Sequence, residues 1–146
     1  MTRSARRVVA ETTRAKAIAK LVEVGLTKYN VENAGSFRYS KLVLSARKNS
    51  GTVVGGLICH FYWNAAHVEL LWVDKAARGH GHGQRLMSEV ERRARRRGAR
   101  LVYLSTFSFQ APRFYEKLGY RRFGRLKNVA PGVNRLFYAK TLKRAA

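Results

Sequence analysis

The sequence predicts an α/β fold of the α+β kind, a mixed sheet with helices packed on it. Three observations carry this. Short apolar runs with period-two alternation recur along the chain. Two longer segments, beginning near Thr13 and near Gln84, space their apolar residues as a helix does. The resulting order, β-α-β-β-β-α-β-α-β-β, interleaves the two kinds of element instead of grouping them. The 146 residues show no repeat, linker or low-complexity stretch, so residues 1–146 are read as one domain with one core.

The elements follow in order. "RRVVA" predicts a short first strand, and from Thr13 the pattern turns helical, with Ile18, Leu21, Val22 and Gly25 on one face and Thr12 or Thr13 as cap. "NVENAGSFRYS" reads as loop, "KLVLSAR" as a half-buried strand, "KNSG" as a turn and "TVVGGLICHFYW" as the next strand. Gly55 and Gly56 within it point to a bulge or to a closely approaching backbone. "NAA" turns into "HVELLWV", where strict alternation puts Val68, Leu70 and Trp72 on one face and Glu69 and Leu71 on the other. A glycine-rich loop leads to an amphipathic helix with Leu86, Met87, Val90 and Ala94 inward and arginines outward. Glu89 to Arg93 and Glu91 to Arg95 are i, i+4 pairs, and Gly98 is the stop. "LVYLST" is a strand. "SFQAPRFYEKLG" is a short helix with Pro112 in its first turn, ended by Gly119. "YRRFGRL" and "NRLFYAKTL" are the last strands, joined around Pro131 and Gly132.

Charge is the outstanding feature of the composition. Lys and Arg number 30 against 8 Asp and Glu, a net +22. Such a surplus favours anionic partners or a solvated basic surface, and it bears on association, not on fold. No apolar run approaches the ~18 residues of a membrane span, so no membrane role is expected. The lone Cys59 excludes an internal disulfide and lies in the apolar run "GGLICHFYW", where a small core residue is expected. Nothing resembles a secretory signal, and the protein is expected in the cytoplasm. The Arg-rich start "MTRSARRVVAETTRAKAIAK" is similar to an organelle transit peptide only faintly.

The stretch from Asp74 to Gly98, "DKAARGHGHGQRLMSEVERRARRRG", sets three alternating glycines before a stiff helix. The first amides of a helix lack intrahelical partners and carry the positive end of its dipole. Glycine lets such a backbone close on a ligand. Arg78, Gly79, His80, Gly81, His82, Gly83 and Gln84 therefore form a candidate anion cradle, most naturally for phosphate, with Arg85 adding charge. The pattern is neither a P-loop nor the dinucleotide fingerprint, since the Lys-Ser/Thr ending and the required spacing are both missing. His80 and His82 lack carboxylate or thiolate neighbours in sequence, so no metal is expected, and their amides are expected to matter more than their rings.

Arg78-x-x-Gly81-x-Gly83 after "VELLWVD", together with "FQAPRFYEKLGYRRFG" about 30 residues on, resembles the two signatures of the GNAT superfamily of N-acetyltransferases, in a bacterial small-molecule branch. The resemblance extends more loosely from about Leu21 to Leu142. It implies a GNAT-like fold: a mixed, mostly antiparallel sheet of six to seven strands flanked by three to four helices. It also implies acetyl-CoA as co-substrate, with no metal. The pantetheine arm would pair with the backbone of Leu71, Trp72 and Val73, in a strand that splays from its neighbour, and the pyrophosphate would lie on the amides from Arg78 to Gln84. Tyr115 matches the tyrosine that commonly protonates the departing thiolate. Glu69 matches the position of a base in some members, and a salt bridge to an arginine is its plainer role. Leu71 or Val73 could offer an amide to the oxyanion. Ser108 stands where many members carry a cofactor-touching asparagine, and a hydroxyl can cap the following helix instead. Tyr29, Tyr39, Tyr62 and Trp63 are candidates to line an acceptor pocket.

Three functions are compatible with these residues. The first is acetylation of a small-molecule primary amine. The second is acetylation of an RNA-bound amine such as aminoacyl-tRNA, which would account better for the positive charge. The third is a non-catalytic basic module that binds nucleic acid through phosphates. A homodimer is compatible with each.

Overall fold

A computed structural model describes residues 6–144. The chain divides into two compact units between Phe37 and Arg38. The first contains helix α1 (Ala15–Ala34). Arg6–Ala10 form no strand, contrary to the sequence expectation, and neither threonine caps the helix: Arg14 holds the cap position with no side-chain hydrogen bond. Thr12 instead closes a turn by accepting the Ala15 N–H at 3.3 Å. The helix runs on to Ala34, through residues read as loop. "NVEN" has no breaker, and Gly35, at φ 78°, is the first natural stop. None of the α1 residues is buried.

The second unit is built on one six-stranded sheet in the order β1-β2-β3-β4-β6-β5. Its strands are β1 (Ser40–Arg47), β2 (Val53–Tyr62), β3 (Ala65–Val73), β4 (Leu101–Phe107), β5 (Arg121–Ala130) and β6 (Val133–Thr141). Every neighbouring pair is antiparallel except β3 and β4, which run parallel because α2 (His82–Arg96) crosses between them. A one-turn 3-10 helix, Lys75–Ala77, starts that crossing, and α3 (Pro112–Lys117) joins β4 to β5.

The core lies on one face of the sheet. Leu57, Cys59 and Phe61 of β2, Val68 of β3 and Val102 and Leu104 of β4 meet Leu86, Met87, Val90 and Ala94 of α2 there. The helical spacing read from the sequence thus selects the correct face of α2. Cys59 is fully buried, as expected, and burial pushes its thiol up to about 12.

Both helices around the site end in the same device. Ala99 N–H bonds to Ala94 O and Gly98 N–H to Arg95 O, each at 2.9 Å, the paired bonds of a Schellman motif on a left-handed glycine. Tyr120 N–H to Tyr115 O and Gly119 N–H to Glu116 O, each at 3.0 Å, repeat it on α3. The accompanying apolar contact there is Tyr115 against Tyr120, ring centroids 6.1 Å apart. Tyr115 is therefore fixed by the end of its own helix.

Glu91 was legible only as a surface partner of Arg95. It is buried, with Lys140 Nζ at 2.8 Å and Tyr120 Oη donating at 3.2 Å, and Arg95 sits farther off at 3.7 Å. The carboxylate ties α2 to the chain after α3 and to β6, and its burial is tolerable because it is paired on both sides.

Candidate active site

The parallel pairing of β3 with β4 runs only from Ala65↔Leu101 to Val68↔Leu104. Beyond it the two strands continue to Val73 and Phe107 without pairing, so they part toward the end that carries the glycine loop. The physical origin is a bulge. On β2, Cys59 pairs with Val68 and Ile58 with Leu70, which leaves Glu69 as the extra residue of β3.

That extra residue also overturns the strict alternation read for this strand. Val68 faces the core, but after the bulge Leu71 and Val73 do so, while Leu70 and Trp72 point outward at 58% and 56% exposure. A single inserted residue exchanges every later side chain between faces. Gly55 and Gly56 serve close backbone approach: a Cβ at Gly55 would meet Trp72 O at 2.7 Å, and one at Gly56 would meet Leu44 O at 2.8 Å. An irregularity in the β1–β2 register, between Ala46 and Arg47, lies beside Gly55.

A cleft of about 940 Å³ opens between the parted strands. Glu69, Leu71, Trp72 and Val73 of β3, Phe114 and Tyr115 of α3, and the loop residues Arg78, Gly79, Gly81, His82, Gly83 and Gln84 line it. Gly81 caps α2 at φ 82°, and no side chain caps the helix and no acid occupies its first turn. Arg78 curls back to donate from Nε to Val73 O at 3.0 Å. The His80 ring is engaged as well: Nδ1 lies 3.2 Å from Ala77 O and 3.1 Å from Arg78 O, so it braces the loop and is more than a solvated side chain. Gly83 allows α3 to close on α2, since a Cβ there would lie 3.1 Å from Phe114 Cζ. A smaller hollow of about 430 Å³ adjoins, sharing Gly81 and Gln84 and lined by Arg85 and Arg92.

Tyr115 is buried, and desolvation raises its phenol to about 12. Among the described residues nothing hydrogen-bonds its hydroxyl. Glu69 is half exposed, and a hydrogen bond with His60 holds its carboxyl below the usual range. His60 Nε2 lies 2.6 Å from Glu69 Oε2, and Tyr39 Oη lies 2.7 Å from His60 Nδ1. The plainer role expected of Glu69, an arginine salt bridge, is thus replaced by a histidine contact.

Other expected site residues fall elsewhere. Ser108 does not line the cleft. It is tied to β6, its Oγ accepting Asn134 N–H at 3.0 Å, and Ala111 holds the α3 cap position without a side-chain bond. Gln110 occupies the strand end instead, accepting from Phe107 N–H at 2.7 Å and Thr106 Oγ1 at 3.0 Å. Tyr62 and Trp63 flank the β2–β3 turn, at the opposite end of β3 from the glycine loop, about 25 Å away at a strand's rise. They do not line the cleft. Tyr29 belongs to α1, in the other unit. His60, Phe109, Gln110 and Arg135 are site residues that sequence reading did not single out. His60 had one usable signal, a polar residue at an outward position opposite "HVE". Among the described residues no cluster of three metal-ligating side chains occurs.

The acetyltransferase (GNAT) family profile matches residues 12–120. The blasticidin-S acetyltransferase of Streptomyces morookaense is 42% identical over 63% of this chain and 68% of its own length. An acetyltransferase of Agrobacterium fabrum is 32% identical over 77% and 82%. A crystal structure of an acetyltransferase from Bacillus cereus superposes with a TM-score of 0.83 at 30% identity, covering 93% of this chain and 98% of that one. With the parted strands, the glycine-capped helix and Tyr115 in one cleft, the conclusion follows: this chain belongs to the GNAT acetyltransferase family and is an N-acetyltransferase.

Proposed function

We propose that the chain, acting as one acetyltransferase domain, moves an acetyl group from acetyl-CoA to a primary amine of a small molecule. The observation that carries this reading is the parting of β3 from β4 at the start of α2, where no side chain caps the helix. The residues present suit acetyl-CoA. The unbonded edge of β3 offers backbone groups to the pantetheine arm, and the amides from Gly81 to Gln84, with no acid in the first turn of α2, suit an anion. Arg78 and Arg85 add charge. The co-substrate supplies a thioester carbonyl open to attack.

The protein's own groups divide the proton work. Burial keeps the Tyr115 Oη proton in place at neutral pH, so the phenol is an acid there and never a base. Full transfer to an alkyl thiolate, whose acid sits near ~8.5, runs uphill. Tyr115 therefore assists the leaving sulfur first as a hydrogen-bond donor. Glu69 is ionised and stands on the cleft wall, where it takes a proton from the incoming ammonium directly or through water. The exposed Leu70, Trp72 and Phe109 offer the acceptor apolar surface beside that carboxylate. The relative that acts on blasticidin S supports a small amine as acceptor.

A second reading, an amine carried on RNA, is favoured by the net charge of +22. Thermal unfolding with acetyl-CoA or with RNA, at low and high salt, separates the two. Protection by acetyl-CoA at both salts, lost in Gly81→Val, together with thiol release on addition of blasticidin S or another small amine, supports the first reading. Protection by RNA alone refutes it.

A further inference from the structure

Glu69 is a weak base, and its contact with His60 makes it weaker while fixing where it stands. Its carboxyl is held low, whereas an alkylammonium releases its proton only near ~10. Its surroundings bear on this problem. The bulge at Glu69 sets its carboxylate against the ring of His60 on β2, at 2.6 Å, and the ring's other nitrogen meets the hydroxyl of Tyr39 at 2.7 Å. The Tyr39 and His60 rings are near parallel, with centroids 5.9 Å apart and planes 21° from parallel. Three residues from three segments thus form one hydrogen-bonded row that ends at the cleft wall.

The chemistry of the row fixes where its protons sit. An ionised carboxylate only accepts, so Nε2 carries the hydrogen of the 2.6 Å contact. In the neutral ring Nδ1 is then a lone pair, and Tyr39 Oη–H donates to it. All three groups are satisfied at once. A second proton on the ring forces Nδ1–H to donate to the tyrosine oxygen and makes the Glu69 contact a full ion pair. A carboxylate so paired is a weaker base.

We propose that His60, held by Tyr39, is the positioning residue for Glu69: it anchors Oε2, leaves Oε1 for the acceptor amine, and by its own protonation state sets the acid limit of turnover. The proposal rests on Glu69 acting as the base in the reading above. It also gives Tyr39 a function other than lining an acceptor pocket. The other titratable and charged groups around the ring are Lys41 of β1, paired with His60, and His67 of β3, its ring 6.3 Å away. Behind them stand Tyr103 of β4, stacked on His67 at 4.7 Å, and Arg135 of β6, which acts electrostatically on His67.

The test pairs kinetics with imidazole nitrogen NMR, the His60 signals being assigned by their loss in His60→Gln. In the wild type the neutral ring carries its proton on Nε2, and kcat falls on the acid side at the pH where that ring titrates. The limb keeps its position for amine acceptors of different basicity. His60→Gln retains a donor to Oε2 but cannot titrate: the acid limb disappears, kcat falls on the order of 10-fold, and KM for acetyl-CoA stays within about twofold. Tyr39→Phe moves the ring's titration and the acid limb together. A neutral ring protonated on Nδ1, or an acid limb unmoved in His60→Gln, overturns the proposal. Glu69→Gln separates the levels. At full rate it refutes the base and this proposal together, whereas a slow Glu69→Gln beside a His60→Gln with the wild-type limb refutes this proposal alone.

Discussion

Gly55→Ala and Gly56→Ala are a matched pair that tests whether the β3 edge holds the cofactor arm. A Cβ at Gly55 would stand 2.7 Å from Trp72 O and 3.2 Å from Val73 Cα, pushing on β3 where the cleft begins. A Cβ at Gly56 would stand 2.8 Å from Leu44 O, pushing on β1 instead. Carbon and carbonyl oxygen settle near ~3.3 Å, so each substitution demands a backbone movement of about 0.5–0.6 Å. Overpacking of this size costs ~1–3 kcal/mol, and the two variants should lose similar stability in urea. Their binding should differ. A shift of β3 spoils one or two backbone hydrogen bonds to pantetheine, each worth ~0.5–1.5 kcal/mol, and so weakens acetyl-CoA roughly 10-fold. Titration calorimetry of both proteins reads this directly. Equal affinities in the two variants would refute the assignment of the parted β3 edge as the pantetheine site.

Other outcomes are expected as follows. Tyr115→Phe should lower kcat by ~10²-fold while leaving the acetyl-CoA Kd and the urea midpoint nearly unchanged, because the hydroxyl has no protein partner among the described residues to lose; unchanged turnover in a thiol-release assay removes its acid role. Cys59, with its thiol pushed up to about 12 by burial, should resist iodoacetamide at pH 8 in the native protein and react only on unfolding, so fast native labelling would contradict the described core. Glu89 is held at about 2 by hydrogen bonds from Arg92 and Arg93. Its unfolded value is higher, so this contribution is complete above pH ~4.5 and fades as pH falls toward 2. At a solvent-screened site it amounts to no more than roughly 1 kcal/mol. Glu89→Gln should flatten that part of the urea-stability curve, and an unaltered curve would show that the pairs contribute nothing.

Much of the second unit was legible because it depends on local rules. Alternation, turn residues and the capping glycines Gly98 and Gly119 gave five of the six strands closely and placed α2 and α3. The sixth, β5, extends past the residues read for it, through Asn128 at positive φ to Ala130, because pairing with β6 carries it further. In the first unit the same rules failed at both ends. "RRVVA" has strand character but no partner strand among the described residues, and without a ladder that character forms nothing.

What the sequence by itself determined is the arithmetic of periodicity and the loop chemistry. It places the apolar face of α2, the glycine loop before it, and a tyrosine one turn from a helix stop. These depend on residues within a few positions of one another, where propensity and sterics act directly. What only the tertiary structure decided is everything set by register between distant strands. The bulge at Glu69, the exchange of Leu70 and Trp72 with Leu71 and Val73, the Tyr39–His60–Glu69 row and the burial of Glu91 are all of this kind. Register is fixed by the summed fit of whole strands, so one inserted residue re-aims every later side chain, and no local pattern records where the insertion falls.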